Sequence, residues 1–242
     1  MAPRVGYPTY GLLDRLGYPK ESNLLIAGSF EHDDWVDSFK GDQLEAEYPA
    51  AKTNGTSAAR TFTEHNANGF LELVSGTADD GYAGTGFGLN WTGDRGVLFQ
   101  AIIQTPAAIT TWKFEVGVSD ADDDAGAVNQ KATTTTATAA DFAVFIHDSD
   151  DDANFGFVSA KAGTVTATQD IRALAVNTTY SLAVRVNGDN IIAYINGTVV
   201  ATHGGGIEGG NGITPWAFSQ ARAGSASRTL KLHKWGMNQP SY

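Results

Sequence analysis

Residues 179–203, TYSLAVRVNGDNIIAYINGTVVATH, limit the possible folds of this chain more than any other stretch. Their first part alternates apolar and polar side chains with the period of two that a half-buried β-strand shows. Two further apolar runs are separated by Asn196-Gly197, which favours a type I′ hairpin turn because both central residues of that turn have positive φ. A polar turn at 187–190 separates the first two runs. The stretch therefore predicts three consecutive antiparallel strands.

Runs of strand length recur along the rest of the chain, with turn-forming residues between them. They lie at 70–74, 96–104, 112–118, 141–147, 154–160, 163–169, 214–221 and 227–235. This spacing is typical of an all-β sandwich, and we expect about eleven to thirteen strands. We expect no helix longer than about two turns, because no long helical periodicity accompanies these runs.

The segment AYINGTVVA, together with WAFSQAR at 216–222 and RTLKLHKW at 228–235, carries a family resemblance. The first segment resembles the repeated signature of concanavalin A-like, LamG-type jelly-roll domains, and the two later segments are similar to the closing strands of those domains. The resemblance implies a β-sandwich of two antiparallel sheets. It identifies a fold rather than a function, because this fold hosts lectins, glycosidases, adhesion modules and viral coat proteins.

Residues 1–28 differ from the rest of the chain, since they contain Pro3, Pro8 and Pro19 and the triplet Gly-Tyr-Pro twice. Proline cannot join a central strand. We therefore expect an extended N-terminal arm over 1–28 and one sandwich domain over 29–242. A disordered tail is the alternative. The arm side chains that could dock on a neighbouring subunit are Tyr7, Tyr10, Leu12, Leu13, Leu16 and Tyr18.

The charge balance narrows the range of partners. The 242 residues include 27 Asp and Glu against 16 Lys and Arg, a net charge of −11. Such a chain lacks the basic face that nucleic acid or an anionic membrane would require, and we expect neither partner. Because cysteine is absent, there is no disulfide framework and no thiol nucleophile. No apolar run approaches the ~20 residues that span a bilayer, and we expect no Sec signal peptide.

Two acidic clusters are weak candidates for calcium. They consist of Asp120, Asp122 and Asp124, and of Asp148, Asp150 and Asp152. Calcium takes six to eight oxygen ligands, and an EF-hand loop has Gly at its sixth position and Glu at its twelfth. Here those positions hold Ala125 and Lys131 in one cluster, and Ala153 and Ser159 in the other. We therefore predict solvated acidic turns and no cofactor, with calcium as the alternative.

Glycosidase chemistry needs two carboxylates about 5 to 9.5 Å apart. The fold resemblance extends to jelly-roll glucanases, in which the two carboxylates come from a Glu-x-Asp-x-Glu pattern on one strand. This chain has no such pattern. Glu72 and Glu115 each stand between apolar neighbours, so strand alternation predicts that both side chains face solvent. These observations favour a protein that is not an enzyme.

Aromatic side chains in the glycine-rich segment 76–95 are candidates for stacking on sugars. They are Tyr82, Phe87 and Trp91. Trp216 and Trp235 lie in strand-like runs instead, and we expect them in the core.

The chain resembles the LamG-like virion proteins of tailed bacteriophages. That resemblance implies a head decoration protein that docks through its arm on the major capsid protein or other virion subunits. We expect a homo-oligomer on the virion surface, assembled in the host cytoplasm. The first alternative is a carbohydrate-binding tail or adhesin module that recognises host glycans. The second alternative is a glycoside hydrolase.

Overall fold

A computed structural model describes residues 32–39, 48–62, 69–121, 126–131, 134–208 and 210–240. The described residues form an all-β jelly-roll sandwich of two antiparallel sheets, which confirms the predicted fold class. The predicted arm and its six anchor residues lie outside the described residues, as do Asp122 and Asp124. The boundary between arm and sandwich therefore stays a prediction.

The strands are numbered in chain order, and a short 3₁₀ helix at Gly93–Arg95 lies between the sixth and the seventh. They are β1 (His32–Asp37), β2 (Lys52–Asn54), β3 (Ala59–Phe62), β4 (Leu71–Val74), β5 (Tyr82–Thr85), β6 (Trp91–Thr92), β7 (Val97–Gln104), β8 (Trp112–Ser119), β9 (Val128–Lys131), β10 (Thr134–Ala137), β11 (Phe142–Asp148), β12 (Asn154–Lys161), β13 (Thr164–Ala173), β14 (Thr179–Asn187), β15 (Asn190–Ile195), β16 (Thr198–Gly204), β17 (Gly212–Ala221) and β18 (Thr229–Pro240).

The first sheet has the order β16-β15-β14-β7-β18-β4-β3, and β1 also pairs with β18. The second sheet has the order β13-β12-β11-β8-β17-β5-β2, and β6 also pairs with β17. Strands β9 and β10 form a separate hairpin. Most neighbours within a sheet are distant in sequence, so the fold depends on long-range pairing.

The predicted three-stranded meander is confirmed as β14, β15 and β16. At its hairpin, Asn196 has a φ of 51° and Gly197 a φ of 77°, as a type I′ turn requires. The Asn196 side chain also accepts a hydrogen bond of 2.9 Å from the backbone N–H of Ser181. The turn is thereby tied to β14, the first strand of the meander.

The main core lies between the sheets. From β8, alternation turns Trp112, Phe114, Val116 and Val118 inward, and all four are fully buried. Trp235 of β18 is buried in the same core, as predicted. A cluster of large aromatic side chains closes one part of it, consisting of Trp35, Phe39, Tyr48, Phe87, Trp91 and Trp235.

The sequence-based strand count was too low. Strands β5 and β6 lie in the glycine-rich segment 76–95, and β2, β3, β9 and β10 lie in stretches to which no strand was assigned from the sequence. Each of these strands has only two to four residues. Such short runs do not develop a clear period of two, so pairing partners rather than local pattern define them.

Candidate functional site

The outer face of the second sheet is covered, and it forms a second apolar core. Alternation turns Phe142, Val144 and Ile146 of β11 and Trp216 and Phe218 of β17 to this side, and all are fully buried. The side chains that cover them from outside belong to the β9–β10 hairpin and its flanks, namely Ala127, Val128, Ala137 and Ala139. Trp216 is thus buried as predicted, although not between the sheets.

A buried ion pair lies at the base of this cover. Lys113 and Glu115 of β8 point to the outer face with 2% and 0% of their side chains exposed, and Lys113 Nζ lies 2.7 Å from Glu115 Oε1. Glu115 Oε2 accepts hydrogen bonds from Ala127 N–H at 2.6 Å and from Trp216 Nε1–H at 3.1 Å. Glu115 Oε1 accepts one from Val128 N–H at 3.1 Å, and Lys113 Nζ donates to the Val128 carbonyl.

The prediction that Glu115 faces solvent is wrong. Alternation assigned it correctly to the side opposite its apolar neighbours, but the hairpin covers that side. Both carboxylate oxygens already accept hydrogen bonds, and the ammonium group is adjacent, so the structure uses Glu115 to fasten the hairpin to the sheet. Glu72 remains partly exposed, with 28% of its side chain accessible.

The acidic cluster at 148–152 is organised around an arginine. Asp148 is opposite Lys113 in the β8–β11 register and is fully buried. Arg222 donates from Nε to Asp148 Oδ1 at 2.9 Å and from Nη2 to Asp148 Oδ2. Burial by itself lowers the pKa of Arg222, but the hydrogen bond and charge of Asp148 outweigh it and raise that pKa.

The rest of this loop is a turn closed by its own carboxylates. Asp148 Oδ1 accepts from Asp150 N–H at 3.2 Å, and Asp152 Oδ1 accepts from Asn154 N–H. Within the described ranges, no three acidic or histidine side chains are grouped so that they could hold a metal ion. The expectation that the protein needs no calcium stays a prediction, since Asp122 and Asp124 are not described.

Asp120 belongs to the other acidic cluster and lies beside Asp141. Burial raises the pKa of Asp120, and the charge of Asp141 adds to this rise. Asp120 Oδ1 is buried with no hydrogen-bond partner among the described residues. Asp141 is fully buried and accepts hydrogen bonds from the N–H groups of Ala162 and Glu208 at 3.1 and 3.0 Å, so it fixes two loops.

The three aromatic candidates for sugar stacking do not share a surface. Phe87 and Trp91 are only 7% and 5% exposed, and the Phe87 ring stacks on Trp35 with centroids 3.9 Å apart. The expectation that these two side chains are exposed is therefore wrong, because large rings gain more by packing in the aromatic cluster. Tyr82 is half-buried and lies against Phe218, with ring centroids 5.4 Å apart, beside the second core.

A buried Ser–His contact connects the edges of the two sheets. His203 Nδ1 lies 2.7 Å from Ser159 Oγ, and His203 Nε2 lies 3.0 Å from Thr168 Oγ1. A catalytic triad requires a carboxylate where Thr168 stands, to orient the imidazole and stabilise its charge. Burial lowers the pKa of His203, so the ring is held neutral and bridges β12, β13 and β16.

The cavities that described residues line include two that are large enough for a small molecule. One of about 380 Å³ is lined by Ile109, Thr110, Thr111, His147, Asp150 and Asp152. His147 is buried, and its ring nitrogens lie 3.0 Å from the Ile109 carbonyl and 3.3 Å from the Asn154 carbonyl. Both ring nitrogens therefore face backbone carbonyls, and the other polar side chains of the lining are Thr110, Thr111, Ser149, Asp150 and Asp152.

The second cavity, of about 310 Å³, lies on the outer face of the first sheet. Its lining includes Asp94, Arg95, Leu98, Arg185, Asn187 and Asn238. Its polar side chains are two guanidinium groups, two amides and the carboxylate of Asp94. No residue of this lining was identified from the sequence. In the part of the chain that the structure describes, no helix has the length and apolar character needed to cross a membrane.

Neither a protein-family model nor a curated protein sequence matches this chain. Similar solved structures include a protein of unknown function from Shewanella oneidensis MR-1, with 12% identity and a TM-score of 0.60 over 100% of this chain and 97% of that protein. The β-glucanase of Bacillus licheniformis has 9% identity and a TM-score of 0.53 over 84% of this chain and 97% of the enzyme.

A third similar structure is the CBM2 module of the evolved Dit of Lactobacillus casei BL23 phage J-1. It has 10% identity and a TM-score of 0.53 over 88% of this chain and 97% of the module. At such identities these similarities establish a shared fold alone. The fold is common to enzymes and non-enzymes, so function must be argued from side chains.

Proposed function

We propose that this chain is a non-enzymatic structural protein of a tailed-bacteriophage particle, most specifically a decoration protein of the head. The observation that supports a non-enzymatic role is the Lys113–Glu115 ion pair, which is buried and hydrogen-bonded under the β9–β10 hairpin. A general acid or base must reach a substrate proton within about 2.6–3.2 Å, directly or through one water. Glu115 is instead fully buried and saturated by its own chain.

The phage part of the proposal is supported by the sequence resemblance to LamG-like virion proteins. It is also supported by the fold shared with a phage-borne module, which fits a role on a phage particle. On this proposal the protein is a homo-oligomer on the virion surface.

The arm at 1–28 is the proposed attachment element. Extended chain spans about 3.3 Å per residue, so 28 residues can reach across a neighbouring subunit. Its anchors, such as Tyr7, Tyr10 and Leu13, bury apolar area on the partner at about 25 cal/mol per Å². The prolines reduce the entropy that ordering costs. The proposed partner is the major capsid protein or another virion subunit.

Deletion of residues 2–22 tests this proposal. The truncated protein should keep the melting temperature of the full chain and should no longer co-sediment with particles assembled without the native protein. A matched control replaces only Tyr7, Tyr10 and Leu13 with Ser at full length and should lose incorporation in the same way. Incorporation of the truncated protein at normal occupancy would rule out the arm as the attachment element.

The second candidate function is carbohydrate binding. Its specific support is the cavity on the first sheet, which places arginine and amide side chains around an apolar floor. The phage module of similar fold is a carbohydrate-binding module, so a phage particle and glycan binding are compatible. A glycan array with the full chain tests this candidate independently of particle assembly.

A further inference from the structure

Two of the described arginines have no partner among the described residues, in a chain that is strongly acidic. Arg95 and Arg185 make no hydrogen bond or ion pair with any described residue, although the chain has a net charge of −11. Arg95 is exposed and Arg185 is half-buried. The other arginines in the described ranges all have contacts: Arg60 with Thr85, Arg172 with the Tyr180 ring, Arg222 with Asp148, and Arg228 with Thr110 and Thr111.

Strand register brings the unpartnered arginines to one cavity. In the first sheet Leu98 of β7 is paired with Arg185 of β14 on one side and with Asn238 of β18 on the other. Side chains that are directly opposite across strands have Cβ atoms about 4.5–5.5 Å apart. These residues therefore form a continuous row on the outer face. Arg95, at the end of the 3₁₀ helix that precedes β7, adds a second guanidinium group.

The shape of the cavity suits a compact ring. Its volume of about 310 Å³ is at the lower end of the range for small-molecule sites. Leu98 is 5% exposed and provides an apolar floor. The turn at Asn187–Gly188, between β14 and β15, forms a wall with exposed residues. An apolar side chain at the base with polar groups around it fits the C–H face and the rim hydroxyls of a pyranose.

The charges select the kind of ring. Two guanidinium groups face one carboxylate, Asp94, so the lining has a net positive charge. The guanidinium fork matches a carboxylate in a bidentate manner. Asp94 would repel a simple anion, yet a carboxylate readily accepts hydrogen bonds from sugar hydroxyls. The Asn187 amide can both donate to hydroxyls and accept from them.

We infer that the cavity formed by Arg95, Leu98, Arg185, Asn187 and Asn238 binds a pyranose that carries a carboxylate, the chemistry of a uronic or sialic acid unit in an acidic glycan. The inference rests on the second candidate function and deepens it by naming the class of sugar. It is independent of the proposed attachment through the arm. A neutral sugar leaves both guanidinium groups unpaired, and a small carboxylate leaves the apolar floor and the amides unused.

Isothermal titration of the full chain with monosaccharides tests the inference. The probes are glucuronate, galacturonate and N-acetylneuraminate, with glucose and acetate as comparisons. We expect at least one acidic sugar to bind about tenfold or more tightly than either comparison, which is the effect of one additional charged contact. Binding should weaken as salt is raised, because the cavity is open to solvent. The relative affinities of the three acids distinguish a uronic from a sialic acid source.

Variants locate the binding. Arg185→Gln and Arg95→Gln should each lower the affinity about tenfold or more, and Arg185→Lys should lower it less, since lysine keeps the charge but not the fork. Arg172→Gln is the matched control, because it removes the same charge from the exposed edge strand β13 and should leave the affinity unchanged. Thermal melts of all variants establish that they are folded.

Several outcomes overturn the inference. Acetate or glucose binding as tightly as the best acidic sugar shows that the ring or the charge is not recognised. The absence of binding to every acidic sugar, or an equal loss in Arg172→Gln, has the same consequence. A glycan array that reports only neutral sugars would leave the carbohydrate-binding function intact while this inference fails. An array without any ligand would reject both.

Discussion

On the second sheet the outer face is buried under the β9–β10 hairpin, whereas on the first sheet Glu72, Arg185 and Lys231 keep the outer face partly exposed. Each face carries one Lys–Glu ion pair. On the covered face Lys113 Nζ lies 2.7 Å from Glu115, and both side chains are almost fully buried. On the other face Lys231 Nζ lies 3.4 Å from Glu72, with 36% and 28% of the side chains exposed.

The two ion pairs have the same chemical groups, so their differences are due to how deeply each pair is buried. Removing two charges from water costs several kcal/mol of desolvation free energy per ion. Their attraction offsets this cost only when the geometry is good and additional hydrogen bonds are made. The covered pair has those bonds, from Ala127, Val128 and Trp216. The partly exposed pair keeps part of its hydration, and Glu72 Oε2 accepts one further hydrogen bond, of 3.5 Å, from Thr61 Oγ1. The first arrangement therefore fixes structure, and the second leaves its face of the sheet partly exposed.

The largest expected effect is that of Glu115→Ala. It removes the anion but leaves Lys113 buried, and breaking a buried pair in this way costs about 3–5 kcal/mol. The free energy of unfolding from urea denaturation measures the loss. The double variant Lys113→Met/Glu115→Leu should recover much of it, because no uncompensated charge remains. A loss below about 1 kcal/mol for Glu115→Ala would show that the covered face is open to water in solution.

In the first sheet no described hairpin covers the meander, and turn geometry is the feature tested there. Gly197 has a φ of 77°, and a β-branched side chain is strongly disfavoured there. Gly197→Val should cost about 1–3 kcal/mol in unfolding free energy. Gly197→Asn is the matched control, because asparagine tolerates positive φ, and it should cost less. Equal stabilities for the wild type and Gly197→Val would contradict the turn assignment.

A smaller effect comes from pH. Burial lowers the pKa of His203, and burial together with Lys231 lowers the pKa of His233 on the outer face of the first sheet. The folded state then binds fewer protons than the unfolded state, whose histidines titrate near 6.5. Stability is therefore greatest above pH 6.5 and decreases as the pH falls through the folded pKa values. The raised pKa of Asp120 acts in the opposite direction.

Thermal melts between pH 7.5 and pH 5 measure this effect as a decrease of the melting temperature. His233→Gln should flatten the decrease, and the remaining slope should be due largely to His203. An increase of the melting temperature on acidification to pH 5 would show that Asp120, rather than the histidines, dominates this range.

The sequence contained part of the information about the covered face. Alternation assigned the Glu115 side chain to the correct side of β8. The prediction was wrong because it assumed that this side of the sheet is exposed to solvent. The near-continuous apolar run of β11 indicates burial on both faces, as in strands covered on both sides. Because β11 pairs with β8, burial of both faces of β11 also predicts that other residues cover Glu115 on the outer face of β8. It does not identify the hairpin, whose two strands have only four residues each.

The cavity on the first sheet could not be predicted from the sequence. Arg95, Arg185 and Asn238 are distant in sequence and come together only through the register of β7, β14 and β18. Local patterns do not specify which strands become neighbours in a sandwich. Phe87 and Trp91 show the same limit, since their burial depends on Trp35 of β1.

The smallest expected effect is that of Glu72→Ala, which completes the comparison of the two ion pairs. It removes the carboxylate from a Glu–Lys pair, as Glu115→Ala does, but Lys231 stays hydrated because 36% of its side chain is exposed. The ring of Phe70, 4.5 Å from Lys231 Nζ, also continues to contact the ammonium group. Surface pairs contribute about 0–1 kcal/mol, so the loss should be within that range and should shrink further at high salt. Urea denaturation at low and high ionic strength measures both quantities on the scale used for Glu115→Ala. A loss as large as that of Glu115→Ala would mean that pairing alone, rather than burial, sets the cost, and the distinction between the two faces would fail.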